Sequence, residues 1–119
     1  SIEQCKYLTS LAHQLGMEVA LKLYTIEEID YLECDVDLII INNRIACSFD
    51  MDVNKSFEFA KLLPNDCIKV SEGGIYTPEK AKELSDVGFQ GIIIGDLFMK
   101  TANPGYALGE FIKGIKKEN

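Results

Sequence analysis

The stretch Ile68–Lys80, IKVSEGGIYTPEK, decides how the chain is read. An apolar strand pattern runs into the turn Ser71-Glu72-Gly73-Gly74, and Thr77-Pro78 then opens a helix. Threonine caps free N–H groups at a helix start, and proline fits the first turn. Adjacent glycines let the backbone take positive φ and approach a ligand closely. Strand, glycine turn and capped helix together make a βα unit. The acid beside two glycines and a helix N-terminus suggests an anion-binding turn with a catalytic carboxylate next to it.

Working outward, the same unit recurs. Ser1 and Gln4 form a capping box, followed by Ile2, Cys5, Leu8, Ala12 and Leu15 at helical spacing, with Gly16 as the stop. Glu18–Tyr24 reads as a strand with Lys22 and Tyr24 on one face and Leu21 and Leu23 on the other. A second capping box, Thr25 to Glu28, starts a short helix to about Cys34. Asp37–Asn42, DLIIIN, has the continuous apolar character of a parallel strand buried on both faces. It ends in Asn42-Asn43-Arg44, and Ile45–Asp52 is an irregular loop longer than a minimal βα connection. A helix is expected over Asn54–Leu63, a strand over Cys67–Ser71, a helix over Thr77–Asp86 and a strand over Phe89–Gly95. Asp96–Lys100 reads as a short helical turn, and Pro104–Lys116 as an amphipathic helix with the stripe Leu108, Phe111, Ile112 and Ile115. Alternation of this kind means a parallel sheet with right-handed crossovers. Half of a (β/α)₈ barrel and a small open α/β sandwich both fit it.

Composition narrows the function classes. The 119 residues suffice for one domain, and an apolar fraction of 47% argues for a packed core. A net charge of −7 disfavours nucleic acid as a partner. The longest apolar runs, Leu38–Ile41 and Ile92–Ile94, are of strand length, so no membrane span is expected. Cys5, Cys34, Cys47 and Cys67 lie far apart without a Cys-x-x-Cys pair. Reduced thiols in a cytoplasmic protein are the expectation, with no metal site. His13, the one histidine, lies in a helical pattern away from other ligands. The first residues form an amphipathic pattern rather than a signal peptide. The chain begins without methionine, which points to processing or to a longer parent sequence.

In either architecture, ligands gather where strands end and βα loops begin. Those positions hold Lys22 and Tyr24, Asn42 and Arg44, Ser71–Gly74, and Gly95-Asp96. In barrels the last two βα loops and a short extra helix commonly hold a phosphate. Gly73-Gly74, Gly95-Asp96 and the turn after them have that layout, with main-chain N–H groups facing the anion and the Asp96 side chain turned away.

Four motifs, LGMEVALKLYTIEEI, DLIIINNR with the following SFDMDVN, VSEGGIYTPE, and IIIGDLFMKTANPG, resemble the C-terminal half of indole-3-glycerol-phosphate synthase. That family is a (β/α)₈ decarboxylating lyase of tryptophan biosynthesis. The resemblance spans nearly the whole chain and implies the C-terminal half of a TIM barrel over residues 1–119, from the helix after strand four to helix eight. It implies no cofactor, a phosphorylated small-molecule substrate, and a catalytic role for Glu72 as a proton-transfer or electrostatic group. Asn42 becomes a polar substrate contact and Arg44 a substrate anchor. Gly73, Gly74 and Gly95 fall in the backbone phosphate loops, with Asp96 beside them.

Three positions depart from the family pattern. Lys22-Leu23-Tyr24 stands where a Glu-x-His pattern carries a catalytic-site glutamate, Gly73 replaces a serine, and Ile40 replaces a strand-six glycine. Lys22 is then either a replacement acid or the salt-bridge partner of Glu72, a pair in which each group favours the other's ionised form. The family's catalytic lysines lie on strands one to three, outside this chain. The expectation is a segment inactive alone, with a non-catalytic phosphate-binding or structural half-barrel as the alternative. Exposed sheet edges make the missing N-terminal half, or self-association into a homodimer or larger species, the expected partner.

Overall fold

The computed structural model describes residues 1–117. Helix α1 (Ile2–Gln14) begins at the expected capping box: the Gln4 N–H donates to Ser1 Oγ at 3.2 Å, and the Ser1 ammonium donates to Gln4 Oε1 at 3.2 Å. It ends at Gly16, whose φ of +80° is a left-handed conformation that glycine adopts without a Cβ penalty. Strand β1 (Ala20–Leu23) leads to Ile26–Glu33. This is a 3₁₀ helix rather than an α-helix, started by the Glu28 carboxylate, which accepts the Tyr24 N–H at 2.6 Å and the Thr25 N–H at 3.0 Å. Then follow β2 (Leu38–Asn42), α2 (Asn54–Ala60), β3 (Lys69–Glu72), α3 (Pro78–Asp86), β4 (Gly91–Ile93), the single turn α4 (Asp96–Met99) and α5 (Pro104–Lys116).

The strands form one four-stranded parallel sheet in the order β1-β2-β3-β4. Sequential order with helical crossovers is the topology of consecutive barrel units. The register places Lys22 opposite Ile40, Ile40 opposite Val70, and Asn42 opposite Glu72, which faces Ile93. Because side chains alternate, these residues share one face of the sheet. Leu23, Ile39, Ile41 and Ser71 share the other, and all are buried there beneath Phe59, Leu63, Ala81 and Leu84 of the helical layer. Lys69 is buried on that side too, its ammonium donating to the Pro64 carbonyl at 3.1 Å.

Several expectations need correction. DLIIIN is not buried on both faces: Ile39 and Ile41 are sealed, but Leu38 and Ile40 on the opposite face are only half-buried. The helices of this chain cover one side of the sheet, so its interior-facing side keeps solvent access. The α5 stripe is likewise divided. Phe111 is buried edge-on against Phe98, with ring centroids 5.5 Å apart, whereas Leu108 and Ile112 are exposed. Leu8 on α1 and Leu15 just past its end are exposed as well. Helix α2 stops at Ala60 rather than Leu63, and β4 is three residues long rather than seven.

Ser71 and Glu72 belong to β3, paired with Ile41 and Asn42, so the turn itself is Gly73-Gly74. Among the described residues, no helix is long and apolar enough to cross a membrane.

Candidate active site

At the carboxyl ends of the strands Glu72 meets Lys22 and borders the two glycine turns, while Asn42 and Arg44 lie beside them. Glu72 is the last residue of β3 and turns to the uncovered face of the sheet. Lys22 reaches over β2 from β1, and its Nζ lies 2.9 Å from Glu72 Oε1. That oxygen is sealed from solvent and has no hydrogen-bond partner, so the contact is an ion pair without an aligned hydrogen bond. Pairing with the Glu72 carboxylate holds Lys22 above the ordinary lysine range, against a smaller opposing effect of burial. Of the two roles weighed for Lys22, the salt-bridge partner is the one this geometry displays.

Beyond Glu72, Gly73 and Gly74 take φ of +97° and +72°. Both values lie where only glycine is unstrained. The turn therefore continues through a path that a serine at Gly73 fits poorly. Met51, from the long loop after β2, fills the space a side chain would need: a Cβ on Gly73 would lie 2.8 Å from Met51 Sδ. Gly73, Gly74, Gly95, Asp96, Glu72 and Met51 line one cavity of about 290 Å³, closed below by Ile75 and Ile93. The two glycine segments thus converge as their spacing implied. The lining holds two carboxylates, Glu72 and Asp96, and neither lysine nor arginine.

Asn42 and Arg44 sit to one side. Asn42 Oδ1 accepts the Arg44 N–H at 2.8 Å, an Asx turn that ends β2 and aims the chain away from the sheet. The Arg44 guanidinium stacks over the Phe49 ring at 5.7 Å and lines a second hollow of about 180 Å³ with Tyr24, Cys47 and Lys55. Arg44 and the glycine turns therefore belong to neighbouring concavities at the same end of the sheet. Among the described residues no cluster of His, Cys, Asp and Glu suits a metal ion.

With this geometry in place, the comparisons with known proteins are decisive. The family model for indole-3-glycerol phosphate synthase matches residues 1–111. The chain belongs to the indole-3-glycerol phosphate synthase family. The synthase of Bacteroides thetaiotaomicron is 46% identical over 114 residues, covering 96% of this chain and 44% of that protein. Those of Caldanaerobacter subterraneus and Lachnoclostridium phytofermentans are 34% and 32% identical, covering 96% and 85% of this chain. The chain spans less than half the length of these curated relatives, at 44%, 44% and 38%. A crystal structure of the Amycolatopsis orientalis BexX/CysO complex superposes with a TM-score of 0.67 at 13% identity, covering 97% of this chain and 46% of that one. That match speaks to fold alone. The family fold is a TIM barrel, and four consecutive parallel βα units are half of one.

Two features of this synthase-family site lie outside the sequence reading. Met51 lies in the irregular Ile45–Asp52 loop and within the SFDMDVN motif, and neither marks it as the cover of Gly73. Asn43, fully buried behind the site, was read simply as part of a polar break after β2. A signal was available for it. Ser71 alternates with Val70 and Glu72 onto the buried face of a strand, and a buried hydroxyl requires a polar partner from elsewhere.

Proposed function

We propose that this chain supplies the C-terminal half of an indole-3-glycerol phosphate synthase barrel, comprising strands five to eight with their helices. The reaction is ring closure of a carboxyphenylamino-deoxyribulose phosphate with loss of carbon dioxide and water. The carrying observation is Glu72: a family-matched carboxylate with one oxygen sealed from solvent, placed at the strand ends beside two converging glycine segments. In this reading Glu72 acts as the proton-transfer or electrostatic group. Main-chain N–H groups of Gly73, Gly74, Gly95 and Asp96 hold the substrate phosphate, which orients the reacting carbon chain. Asn42 and Arg44 contact the remainder of the substrate from the adjoining hollow. Lys22 pairs with Glu72 and stands where a cation can meet the substrate.

The catalytic lysines come from the N-terminal half, so the isolated chain should not turn over substrate. Co-expression with the N-terminal half of the Bacteroides relative, followed by fluorescence detection of indole-3-glycerol phosphate formed from the phosphate substrate, tests the proposal. Turnover by the pair but not by either half is the expected result; turnover by this chain alone, or none by the pair despite assembly, overturns it.

The second reading, a non-catalytic half-barrel, is favoured by one observation: a lysine replaces the family glutamate and is already engaged with Glu72. Under either reading the uncovered sheet face and the exposed Leu8, Leu15, Leu108 and Ile112 favour association. Sedimentation of the isolated chain should show a dimer or larger species; a compact monomer at high concentration contradicts this.

A further inference from the structure

We propose that Asn43 is the positioning residue of this site, locking Glu72 and the Gly73-Gly74 turn to the loop that carries Met51. Asn43 stands just past β2 with no solvent exposure, and it bonds to three consecutive residues across the end of β3, namely Ser71, Glu72 and Gly73. Its side-chain amide donates to Ser71 Oγ at 2.9 Å and to the Gly73 carbonyl at 2.8 Å. Its main-chain N–H donates to the Glu72 carbonyl at 2.9 Å. Glu72 is thereby gripped at its own peptide and on both sides.

The same residue ties in two further elements. Its carbonyl accepts the Asp52 N–H at 2.7 Å, one residue beyond Met51. Its Oδ1 accepts the Ser56 hydroxyl of α2 at 2.7 Å. Ser56 and Ser71 are 2.6 Å apart. Ser56 has one hydroxyl proton, already given to Asn43, so Ser71 must be the donor between them. The bonds then run Asn43 to Ser71 to Ser56 and back to Asn43, a closed ring of buried groups that reinforce one another. Leucine or valine in these places would fill the space and fix nothing across the strand end. The bond that leaves this ring, from the Asn43 amide to the Gly73 carbonyl, is the one that holds the turn.

The proposal rests on Glu72 and the glycine turn being the working parts of the site, but its test reads their geometry rather than turnover. A failure here is thus distinct from a failure of reconstitution. Asn43→Ala removes all three side-chain bonds and keeps the backbone ones. Ser56→Ala, the control, opens the ring and leaves the bond to Gly73. Backbone relaxation of the 119-residue chain reports the order of Gly73 and Gly74, and the Lys22 side-chain resonances report the pH at which Lys22 titrates.

In Asn43→Ala, the glycine order parameters should fall from about 0.85 to below about 0.6. The Lys22 midpoint should fall toward the ordinary lysine range as Glu72 drifts from it. Ser56→Ala should move neither. Either readout staying at its wild-type value in the Asn43 variant, or shifting equally in Ser56→Ala, overturns the proposal. Should Asn43→Ala not fold, Asn43→Ser carries the same measurements; if neither folds while Ser56→Ala does, Asn43 is a stability residue only and the proposal fails.

Discussion

Neutralising the two ends of the Lys22–Glu72 pair should have unequal consequences. At 2.9 Å, the attraction is about 1.4 kcal/mol in bulk water and roughly 6 kcal/mol at an effective dielectric of 20. The Lys22 side chain is 39% exposed and that of Glu72 27%, which places the net value near the lower figure. The asymmetry arises from one atom. Glu72 Oε1 is sealed, so Lys22→Met leaves a buried carboxylate oxygen with no compensating charge, a loss of about 1–3 kcal/mol. Glu72→Gln preserves shape, and Lys22 swings into water, so the loss stays under about 1 kcal/mol. With an unfolding entropy of about 2.1 cal/mol/K per residue, the first variant should melt about 4–12 °C lower.

Urea denaturation of both single variants and the double variant gives the coupling directly. The pH dependence follows from the raised value of Lys22. A lysine raised on folding contributes stability that is complete below its unfolded value of about 10.4 and disappears as pH rises through the higher folded one. The wild-type advantage over Lys22→Met should therefore persist at neutral pH and vanish in strong alkali. Equal losses from the two single variants, or a larger one from Glu72→Gln, would refute the sealed-oxygen argument.

Three further outcomes are expected. A Cβ on Gly114 would stand 2.5 Å from Pro78 Cγ, where α5 crosses the start of α3, and a proline ring cannot swing aside. Gly114→Ala should cost about 1–3 kcal/mol by overpacking, read as a lower urea midpoint at unchanged slope. Gly73→Ser, which restores the family residue, should destabilise by about 1 kcal/mol through its φ of +97°. Adding Met51→Ala should relieve the contact with Sδ but not that backbone strain, so full recovery in the double variant would contradict the conformational argument. Asp37 accepts from His13 Nε2 at 2.8 Å and the Val19 N–H at 2.6 Å, and these bonds, that from His13 foremost, hold it below the usual carboxylate value. Its contribution is present above about pH 3.9 and lost as pH falls through the lower folded value. Asp37→Asn should accordingly flatten the acid limb of a stability–pH curve and leave the alkaline limb unchanged.

The parts of this fold that were legible in sequence are those fixed by near neighbours. The Ser1 capping box, the glycine stop at Gly16 and helix Pro104–Lys116 each depend on residues within a few positions, and each forms as its pattern implies. The stripe on that last helix was legible and still misleading. Leu108 and Ile112 have the spacing of buried residues because periodicity records the surroundings of a whole barrel, whereas this chain carries half. β4 was overestimated since an Ile-rich run looks the same whether or not its ends find partners. The site divides in the same way. Gly73, Gly74 and Gly95 could be marked in advance from turn chemistry. The ring of Asn43, Ser56 and Ser71 could not, because its members lie 13 to 28 positions apart and none has a local signature.

The two-residue alternation of β1 also bears on how such a site changes over time. Leu23 is almost fully buried and helps hold the sheet to its helices, while Lys22, one step away, looks to the opposite side. The genetic text therefore interleaves two vocabularies on one short strand, one written for folding and the other for reaction. A codon in the second can reverse the sign of a charge and leave every word of the first intact. A glutamate at residue 22 would therefore leave the packing of Leu23 untouched, and opposition to it would come from across the sheet, where the sealed oxygen of Glu72 would face a second carboxylate.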